Sequence, residues 1–450
     1  MSNFFKVKEH GSTVRTEIMA GVTTFMAMAY ILMVNAGMFS SLGTVSYGAI
    51  YIATAISAVI GTVLIGLLSN LPLAQASGMG LNAFFVYTVC FTFGLSYANA
   101  LVLVLVDGIV FVLLTVTGLR KMIFDAIPAA VKTAISAGIG LFIAFIGLQN
   151  SGLCVDSATL VGIISFPENF HTAGICALLT LIGLFFTAVF YTRKMKGAIL
   201  YGILLTWILG MLCQVTGLYV PTPDAGFYSL FPSWGMTDFS KLGLTFGQCF
   251  NVDFSAVGIV NFIVVIFSFL FVDIFDTLGT LIGVATKAKM LDKDGKLPGI
   301  KPALLADSIA TSAGAILGTS TTTTFVESAS GVAVGGRTAL VTGILFLVST
   351  LFAPIFTAIP SFATAPALIM VGFLMVGTVT EISFDLDNLT ESIPAYLAII
   401  AMPLFYSISE GISLGVISYV LLNLATGKGK KVAPLMYVLA VLFVLKYIFL

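Results

Sequence analysis

Apolar stretches of about 20 residues recur along the chain, and short polar or basic segments separate them. An α-helix of this length crosses the hydrocarbon core of a bilayer. The stretches are continuous, whereas the strands of a membrane β-barrel alternate between apolar and polar residues. The pattern therefore predicts an all-α polytopic membrane protein with about 14 spans. We place the spans at residues 18–39, 47–69, 72–93, 97–118, 131–148, 173–191, 197–217, 257–285, 302–318, 320–336, 338–358, 364–379, 394–409 and 411–427.

The composition agrees with a membrane protein and excludes several other classes. Hydrophobic residues make up 59% of the 450 residues and charged residues 9%, whereas soluble domains carry about 25% charged residues. The mean hydropathy is +1.10. The formal net charge is zero, so the basic footprint of a nucleic-acid-binding protein is absent. The cysteines are scattered without metal-ligand spacing, so we predict no metal site and no cofactor.

Basic residues cluster between particular spans, and this predicts the orientation of the chain. A cytoplasmic N-terminus puts most of the 20 lysines and arginines on the cytoplasmic side. Loops that carry positive charge tend to stay in the cytoplasm. We therefore expect a multi-pass plasma-membrane protein with a cytoplasmic N-terminus. The clusters are Lys6, Lys8 and Arg15; Arg120 and Lys121; Arg193, Lys194 and Lys196; five lysines in 287–301; and Lys428, Lys430 and Lys431.

Two polar stretches interrupt the apolar pattern. Asp273 and Asp276 lie three residues apart in an apolar run, so a helix would place both on one face. A carboxylate inside a membrane costs about 2.5–3.5 kcal/mol and normally faces a cavity. Glu327 stands in a second stretch, residues 318–338, which is rich in hydroxyl groups and glycine. Together these stretches predict the polar site of a membrane transporter.

The chain contains a weak internal repeat. The motif Ala126-Ile-Pro followed by Gly140 resembles Ala358-Ile-Pro followed by Gly372, and each half holds seven predicted spans. An odd number of spans turns the second half upside down, and inverted repeats are typical of secondary transporters.

The repeat also pairs the two unusual polar stretches. Residues 72–83 match residues 319–330, and the match places Asn82 opposite Glu327. Interrupted spans at corresponding positions of the two halves indicate a transporter site. Glycine permits extended backbone there, and unpaired backbone is tolerated only where it lines a cavity.

Every candidate residue also has a purely structural interpretation. The two aspartates could be helix-end acids that face the cytoplasm, and Glu327 and Asn82 could make hydrogen bonds between helices. The hydroxyl groups of the four threonines at 321–324 could simply donate hydrogen bonds to backbone carbonyls as part of helix packing. Asp107 and Asp307 are isolated acids near spans, for which structural pairing and function are equally open.

The polar stretches also carry a family resemblance. Val272-Asp-Ile-Phe-Asp-Thr-Leu-Gly-Thr, Gln75-Ala-Ser-Gly-Met-Gly-Leu-Asn-Ala-Phe-Phe and Phe325-Val-Glu-Ser-Ala-Ser-Gly resemble the AzgA-like adenine–guanine–hypoxanthine permeases. These belong to the nucleobase–ascorbate transporter (nucleobase:cation symporter-2) superfamily. The resemblance covers about residues 12–427. The Asn-x-Gly that commonly follows the acid of span 10 in the superfamily is replaced here by Ser328-Ala-Ser-Gly, which fits the AzgA-like branch.

The resemblance implies a fold of fourteen spans in two inverted repeats of seven, with a short strand and half-helix in spans 3 and 10. Spans 1–4 and 8–11 would form a core domain, and spans 5–7 and 12–14 a gate domain. Small residues of the gate helices, Gly138, Gly140, Gly372 and Gly377, are expected to permit sliding contact.

The expected division of the chain follows these spans. The core halves are 1–118 and 257–358, the gate halves are 119–217 and 359–427, and 218–256 is an extracytoplasmic loop. The last part, 428–450, is a basic linker with an extra apolar segment at 432–449, which could span the membrane or lie in its interface.

The resemblance further implies import of purine bases by proton symport, with an elevator-like movement of the core against the gate. Asp273, Asp276 and Glu327 would bind the base and carry the proton. A carboxyl group withdrawn from water can load and release a proton near neutral pH. The expected partners are a purine base, a proton rather than sodium, and the lipid bilayer; a homodimer is left open. The predicted substrate site is completed by Ser77, Asn82, Thr324 and Ser328.

Two other functions remain as alternatives. An inorganic anion transporter of the same fold is disfavoured because the predicted site holds three acids and no arginine. An intramembrane aspartyl protease would need a Gly-x-Gly-Asp motif, but Gly78-Met-Gly is followed here by Leu81 and Asn82.

Overall fold

Backbone groups inside a membrane must find their hydrogen bonds within the protein, and helices meet this need in most of the chain. A computed structural model describes residues 12–158, 160–222, 226–253, 259–287, 290, 297–325, 327–382, 384–385 and 387–449. The strands are β1 (Gln75–Ser77), β2 (Cys154–Ser157), β3 (Leu160–Ile163) and β4 (Thr322–Thr324). The helices are α1 (Val14–Met28), α2 (Tyr30–Ser40), α3 (Tyr47–Ser69), α4 (Met79–Ala83), α5 (Tyr97–Thr117), α6 (Leu119–Ala126), α7 (Ala129–Asn150), α8 (Ile175–Thr192), α9 (Ala198–Val215), α10 (Ile259–Lys287), α11 (Ile300–Leu317), α12 (Ser328–Ala333), α13 (Leu340–Ser349), α14 (Ala353–Phe356), α15 (Ser361–Val376), α16 (Leu389–Leu404), α17 (Ile408–Ala425) and α18 (Pro434–Phe449).

These helices follow the predicted spans. Within the described ranges, nine helices are long and apolar enough to cross a membrane. The first span divides at Ala29 into α1 and α2, and the eleventh consists of α13, a short 3₁₀ turn and α14. Span 3 continues from α4 into a π-helix, Phe84–Thr92.

The third and tenth spans meet in the middle of the molecule. β1 and β4 pair antiparallel, with Gln75 beside Thr324 and Ser77 beside Thr322. All residues of both strands are buried. β1 leads into α4 and β4 into α12, so the predicted strand and half-helix in each of these spans are confirmed.

Threonine hydroxyls satisfy the outer edge of each strand. The Thr62 hydroxyl of α3 accepts a bond from the Gln75 amide (3.0 Å) and donates to the Gln75 carbonyl (3.1 Å). The Thr311 hydroxyl of α11 accepts from the Thr322 amide and donates to its carbonyl, both at 3.2 Å. Gln75 and Thr322 are therefore equivalent positions of the two repeats.

This equivalence confirms the match of residues 72–83 with residues 319–330 and corrects one detail of it. With Gln75 on Thr322, Asn82 corresponds to Ala329, and Glu327 corresponds to Gly80. The expected pairing of Asn82 with Glu327 is wrong by two residues, because both lie in helix-forming segments where polarity alone does not define the register.

Other parts of the chain differ from the sequence prediction. The hairpin of β2 and β3 and the short helix α6 were not predicted, since each is too short to show a clear period. Span 13 is α16 rather than 394–409, and span 14 is α17 rather than 411–427. The shift arises where α16 ends, because Tyr406 adopts a left-handed backbone with φ 54°.

The final apolar segment forms the helix α18, which packs on α17. The Lys446 ammonium lies 2.6 Å from a Glu410 carboxylate oxygen and donates to the Ser409 hydroxyl at 2.8 Å. The Phe443 ring lies 5.2 Å from the rings of Phe267 and Phe271 on α10. The segment is therefore folded against two helices of the bundle.

Small residues bring α7 and α15 into close contact. A Cβ atom on Gly140 would lie 2.7 Å from the Gly372 carbonyl oxygen. Gly138 likewise faces Ala398 and Met402 of α16. The expectation of sliding contact is wrong for Gly138, Gly140 and Gly372, because each is packed against another helix of the same predicted gate domain; a Cβ atom on Gly377 would have no neighbour within 4 Å.

We predict that Gly372→Leu destabilises this packing. A leucine side chain there would displace α7, and overpacking of this kind costs about 1–3 kcal/mol or more. The thermal midpoint of the detergent-purified variant should fall, together with its yield of monodisperse protein. Gly377→Leu is the matched control, because a Cβ atom there has no neighbour within 4 Å. Equal midpoints for the two variants would contradict this assignment of Gly372.

Candidate functional site

The pairing of β1 with β4 places the two interrupted spans side by side, and the predicted site residues surround it. Asp276 lies at the turn from β1 into α4: a Cβ atom on Gly78 would be 2.8 Å from Asp276 Oδ2 and 2.7 Å from Thr323 Cγ2. Only glycine fits at position 78 while the carboxyl group keeps its place. Asp276 is 7% exposed.

Glu327 lies at the turn from β4 into α12. The Tyr30 hydroxyl of α2 donates to Glu327 Oε1 at 2.9 Å. Glu327 is half-buried. A carboxyl group therefore lies at each of the two turns from a strand into a half-helix. Asp276 of α10 lies at the first turn, and Glu327 of span 10 lies at the second.

The Ser328 hydroxyl is engaged by the backbone of the other repeat. It accepts a bond from the Ala74 amide at 3.0 Å and donates to the Ala74 carbonyl at 3.3 Å. Thr324 accepts a bond from Gln75 Nε2 at 3.3 Å. Both predicted site residues therefore hold the strand pair together.

Asn82 and Ser77 belong to a buried polar network next to the strand pair. Asn82 Oδ1 accepts a bond from the Ser320 hydroxyl, and the Ser77 and Thr319 hydroxyls are 2.9 Å apart. Asn35 of α2 donates to the Thr319 hydroxyl at 3.0 Å. The network links spans 1, 3 and 10, so the structure brings Asn82 close to Ser77 but into a different group from Glu327.

Asp273 bonds to a neighbouring hydroxyl on α10. Its Oδ1 accepts a bond from the Thr277 hydroxyl at 2.9 Å, and that hydroxyl lies 3.2 Å from the Thr323 hydroxyl of β4. Asp276 lies at the Gly78 turn, whereas Asp273 reaches β4 only through the Thr277 hydroxyl.

The structure buries an arginine that the sequence analysis assigned to a cytoplasmic basic cluster. Arg120 is 0% exposed, and its guanidinium lies 3.0 Å from Asp307 Oδ2 of α11. It also donates to the Ser308 hydroxyl at 3.3 Å and lies 4.0 Å above the Phe111 ring. Arg120 is buried because the chain turns at Gly118, φ 78°, and folds α6 back so that Arg120 reaches Phe111 of α5 and Asp307 of α11.

Sequence reasoning singled out Asp107 and Asp307 but left their role open. The structure pairs Asp307 with Arg120 and buries Asp107 completely in α5. The sequence did contain one signal for a buried ion pair: an arginine lies close to the end of an apolar span and begins an amphipathic segment. The argument that the site contains no arginine does not hold for this wider cluster, although the charge of Arg120 is balanced by Asp307.

A cavity of about 550 Å³ lies away from all of these groups. None of the predicted site residues lines it. Its walls come from residues between 42 and 46, 90 and 98, and 244 and 248. The candidate site is therefore defined by its carboxyl groups and strand pair rather than by this cavity.

Comparison with known proteins shows what the chain is similar to. The Xan_ur_permease family, described as "Permease family", matches residues 15–414. The guanine/hypoxanthine permease PbuG of Bacillus subtilis (strain 168) is 44% identical, with 100% of both chains covered. The adenine permease AdeP of Escherichia coli (strain K12) is 38% identical over 100% of this chain and 96% of its own.

The fold is also found in a solved structure. The transmembrane domain of the cyanobacterial bicarbonate transporter BicA superposes with a TM-score of 0.62 at 15% identity, covering 89% of this chain and 97% of that domain. This likeness concerns the fold alone. It confirms the predicted arrangement of two inverted repeats of seven spans.

We predict that Arg120→Gln destabilises the protein strongly. The substitution leaves Asp307 buried without its charge partner, and breaking such a pair costs about 3–5 kcal/mol. The thermal midpoint in detergent should fall well below that of Arg193→Gln, which removes the same charge from an exposed position.

The double variant Arg120→Met/Asp307→Leu should recover most of the loss, because no unpaired charge then remains. A double variant no more stable than Arg120→Gln would argue against a simple ion pair.

Proposed function

The chain belongs to the Permease family (Xan_ur_permease), and on this premise we propose that it imports purine bases across the plasma membrane by proton symport. The substrates would be adenine, guanine or hypoxanthine, which the names of its relatives mention. The N-terminus would be cytoplasmic, as the basic loops indicate. The family consists of transport proteins, so the protease alternative loses its support.

One observation carries the substrate assignment. Asp276 and Glu327 present carboxyl groups at the two turns that leave the central strand pair. A purine base is flat and offers N–H donors along its edge, and each carboxylate accepts such bonds. A site built from paired polar contacts rejects analogues that lack the matching donor, because its buried groups are then left unbonded.

The remaining predicted residues would shape this site. Ser328 and Thr324 bond within the strand pair, and Ser77 and Asn82 bond across spans 3 and 10. We assign them the task of holding the strands and half-helices in register. Asp273 would serve coupling rather than contact the base.

The proposed movement takes the core past the gate. α4 of the core meets the gate at Gly80, where a Cβ atom would lie 3.0 Å from Ile139 Cγ2 and 3.7 Å from Ile408 Cδ1. This contact is apolar and fits only glycine closely. It suits a surface that slides, because no hydrogen bond at that point has to be broken.

A second candidate function has one observation in its favour. The fold is shared with a bicarbonate transporter, and Arg120 supplies a buried positive charge. That charge already faces Asp307 at 3.0 Å, so it is not available to bind an anion. Competition of purine uptake by adenine, hypoxanthine, guanine, xanthine, uracil and bicarbonate separates the two candidates.

We predict that Glu327→Gln lowers purine uptake by about ten- to 150-fold, the effect of losing one hydrogen bond to a charged group. The Tyr30 hydroxyl can still donate to the glutamine amide oxygen, so the fold should be retained. Uptake of radiolabelled bases by cells that express the variant measures the effect, with membrane content checked by immunoblot.

Glu381→Gln is the matched control, because it makes the same change at an exposed position. If Glu327→Gln took up bases as the wild type does, Glu327 would not bind substrate.

Coupling gives a separate prediction. If a protonated carboxyl group travels with the base, uptake should rise as the external pH falls from about 8 to about 6 and should drop when an uncoupler collapses the proton gradient. Initial rates in membrane vesicles measure both effects. Uptake that follows an imposed sodium gradient and ignores the uncoupler would contradict proton symport.

A further inference from the structure

The last helix of the chain lies outside the part that the family model matches. The match ends at residue 414, whereas α18 runs from Pro434 to Phe449. The helix is apolar almost all round, as expected of a segment inside a membrane, and exposes side chains such as Val441 and Ile448. Its buried residues follow helical spacing and share one face: Met436, Leu439, Ala440, Phe443 and Lys446.

Polar bonds attach α18 to α17, a helix of the predicted gate. The Lys446 ammonium, 2% exposed, lies 2.6 Å from Glu410 Oε1 and donates to the Ser409 hydroxyl at 2.8 Å. The Tyr447 hydroxyl lies 2.6 Å from the Ser413 hydroxyl and also bonds to Glu410. If α18 separated from α17, Lys446 would be left buried without its charge partner, which is strongly unfavourable. The two helices must therefore move as one body.

The contact of α18 with α10, a helix of the predicted core, is of a different kind. The Phe443 ring, 0% exposed, lies 5.2 Å from the rings of both Phe267 and Phe271, with interplanar angles of 62° and 66°. The Phe267 and Phe271 rings are themselves 4.6 Å apart. Such edge-to-face contacts stabilise a structure beyond the area that they bury, but they depend on the relative position of the rings.

This contact lies close to the candidate substrate site. Phe271 precedes Asp273 by two residues on α10, the helix that also carries Asp276. If the core moves past the gate, α10 moves past Phe443, and the ring must leave its place between Phe267 and Phe271. Packed side chains have discrete arrangements rather than continuously adjustable ones. The ring cluster is therefore made in one position of the core and lost in another.

We infer that α18 is a clamp between the two moving bodies: Lys446 fixes it to the gate, and Phe443 holds the core in the position seen here. This role rests on the movement of core against gate in the proposed function. Phe443 does not touch the base. It acts through α10 on the balance between positions of the core.

The test measures the position of the core in the full-length, ligand-free protein reconstituted in liposomes. Spin labels are attached to cysteines at Thr117, which is exposed at the end of α5 in the predicted core, and Thr192, which is exposed at the end of α8 in the predicted gate. The five native cysteines are first replaced by serine. Pulsed electron paramagnetic resonance then gives the distribution of distances between core and gate.

Phe443→Ala should lower the ratio of molecules at the distance of this structure to molecules at other distances by about two- to tenfold, the effect of losing an edge-to-face ring contact. Counterflow of radiolabelled hypoxanthine should be at least as fast as in the wild type, because the ring no longer has to be withdrawn. An unchanged distribution of distances overturns the inference, even if the thermal midpoint in detergent falls, since α18 would then only stabilise the fold.

Phe373→Ala is the matched control. It makes the same change on α15 at a side chain that is 67% exposed, so distances, counterflow and thermal midpoint should all match the wild type.

Phe267→Leu approaches the same contact from the core side. It removes one of the two rings that Phe443 meets and should shift the distances in the same direction as Phe443→Ala, by a smaller factor. If Phe443→Ala does not fold, Phe267→Leu decides the outcome, and unchanged distances in it overturn the inference.

The distance measurement needs no substrate, so the clamp and the proposed function can fail separately. A shift of distances in a protein that carries no purine base contradicts the proposed function and leaves the clamp standing. Purine uptake by the wild type, together with unchanged distances in Phe443→Ala, overturns the clamp and leaves the proposed function standing.

Discussion

The structure depends on the pairing of β1 with β4, because two interrupted spans meet there and their backbone groups have no water to bond. Three paired residues from each strand satisfy the inner edges. Hydroxyls of Thr62, Thr311 and Ser328 close the outer edges and the approach to β1. Since an unsatisfied backbone group in hydrocarbon costs several kcal/mol, this local arrangement fixes how the two repeats fit together.

The helices around the strands must come very close for these hydroxyls to reach. A Cβ atom on Gly61 of α3 would lie 2.9 Å from Gln75 Oε1, and one on Gly314 of α11 would lie 2.9 Å from the Ser320 carbonyl oxygen. Glycine at both positions lets α3 and α11 approach the strand pair from opposite sides. The same closeness at Gly78 leaves room for the carboxyl group of Asp276. The close approach at these glycines thus allows the backbone hydrogen bonds to form, the helices to pack closely and the Asp276 carboxyl group to take its position.

The sequence predicted the parts that follow from local composition. Long apolar runs predicted the spans. The glycine- and hydroxyl-rich stretches predicted two interrupted spans, for which the family resemblance implied the short strands. Features that depend on a distant partner were not predictable. The burial of Arg120 depends on Asp307 of α11, and the tight packing of Gly140 depends on Gly372 of α15. Asp107 and Asp307 were recognised as unusual, but the partner of Asp307 is an arginine about 187 residues away in the chain, which local sequence does not reveal.

Reciprocity ties the two proposed binding events together. If the base binds more tightly to the protein whose Asp273 is protonated, Asp273 must bind its proton more tightly, by the same factor, when the base is present. A physical contact must then differ between the two states. The Thr277 hydroxyl is the nearest one, since it bonds Asp273 and lies beside Thr323 on β4. A shift of β4 on base binding would change the position of the Thr323 hydroxyl relative to the Thr277 hydroxyl. The bond from Thr277 to Asp273 would then change, and with it the stability of a charge on Asp273. A symporter needs the binding of base and proton to depend on each other, whichever binds first. A strand that contacts both sites provides this coupling without any direct contact between base and proton.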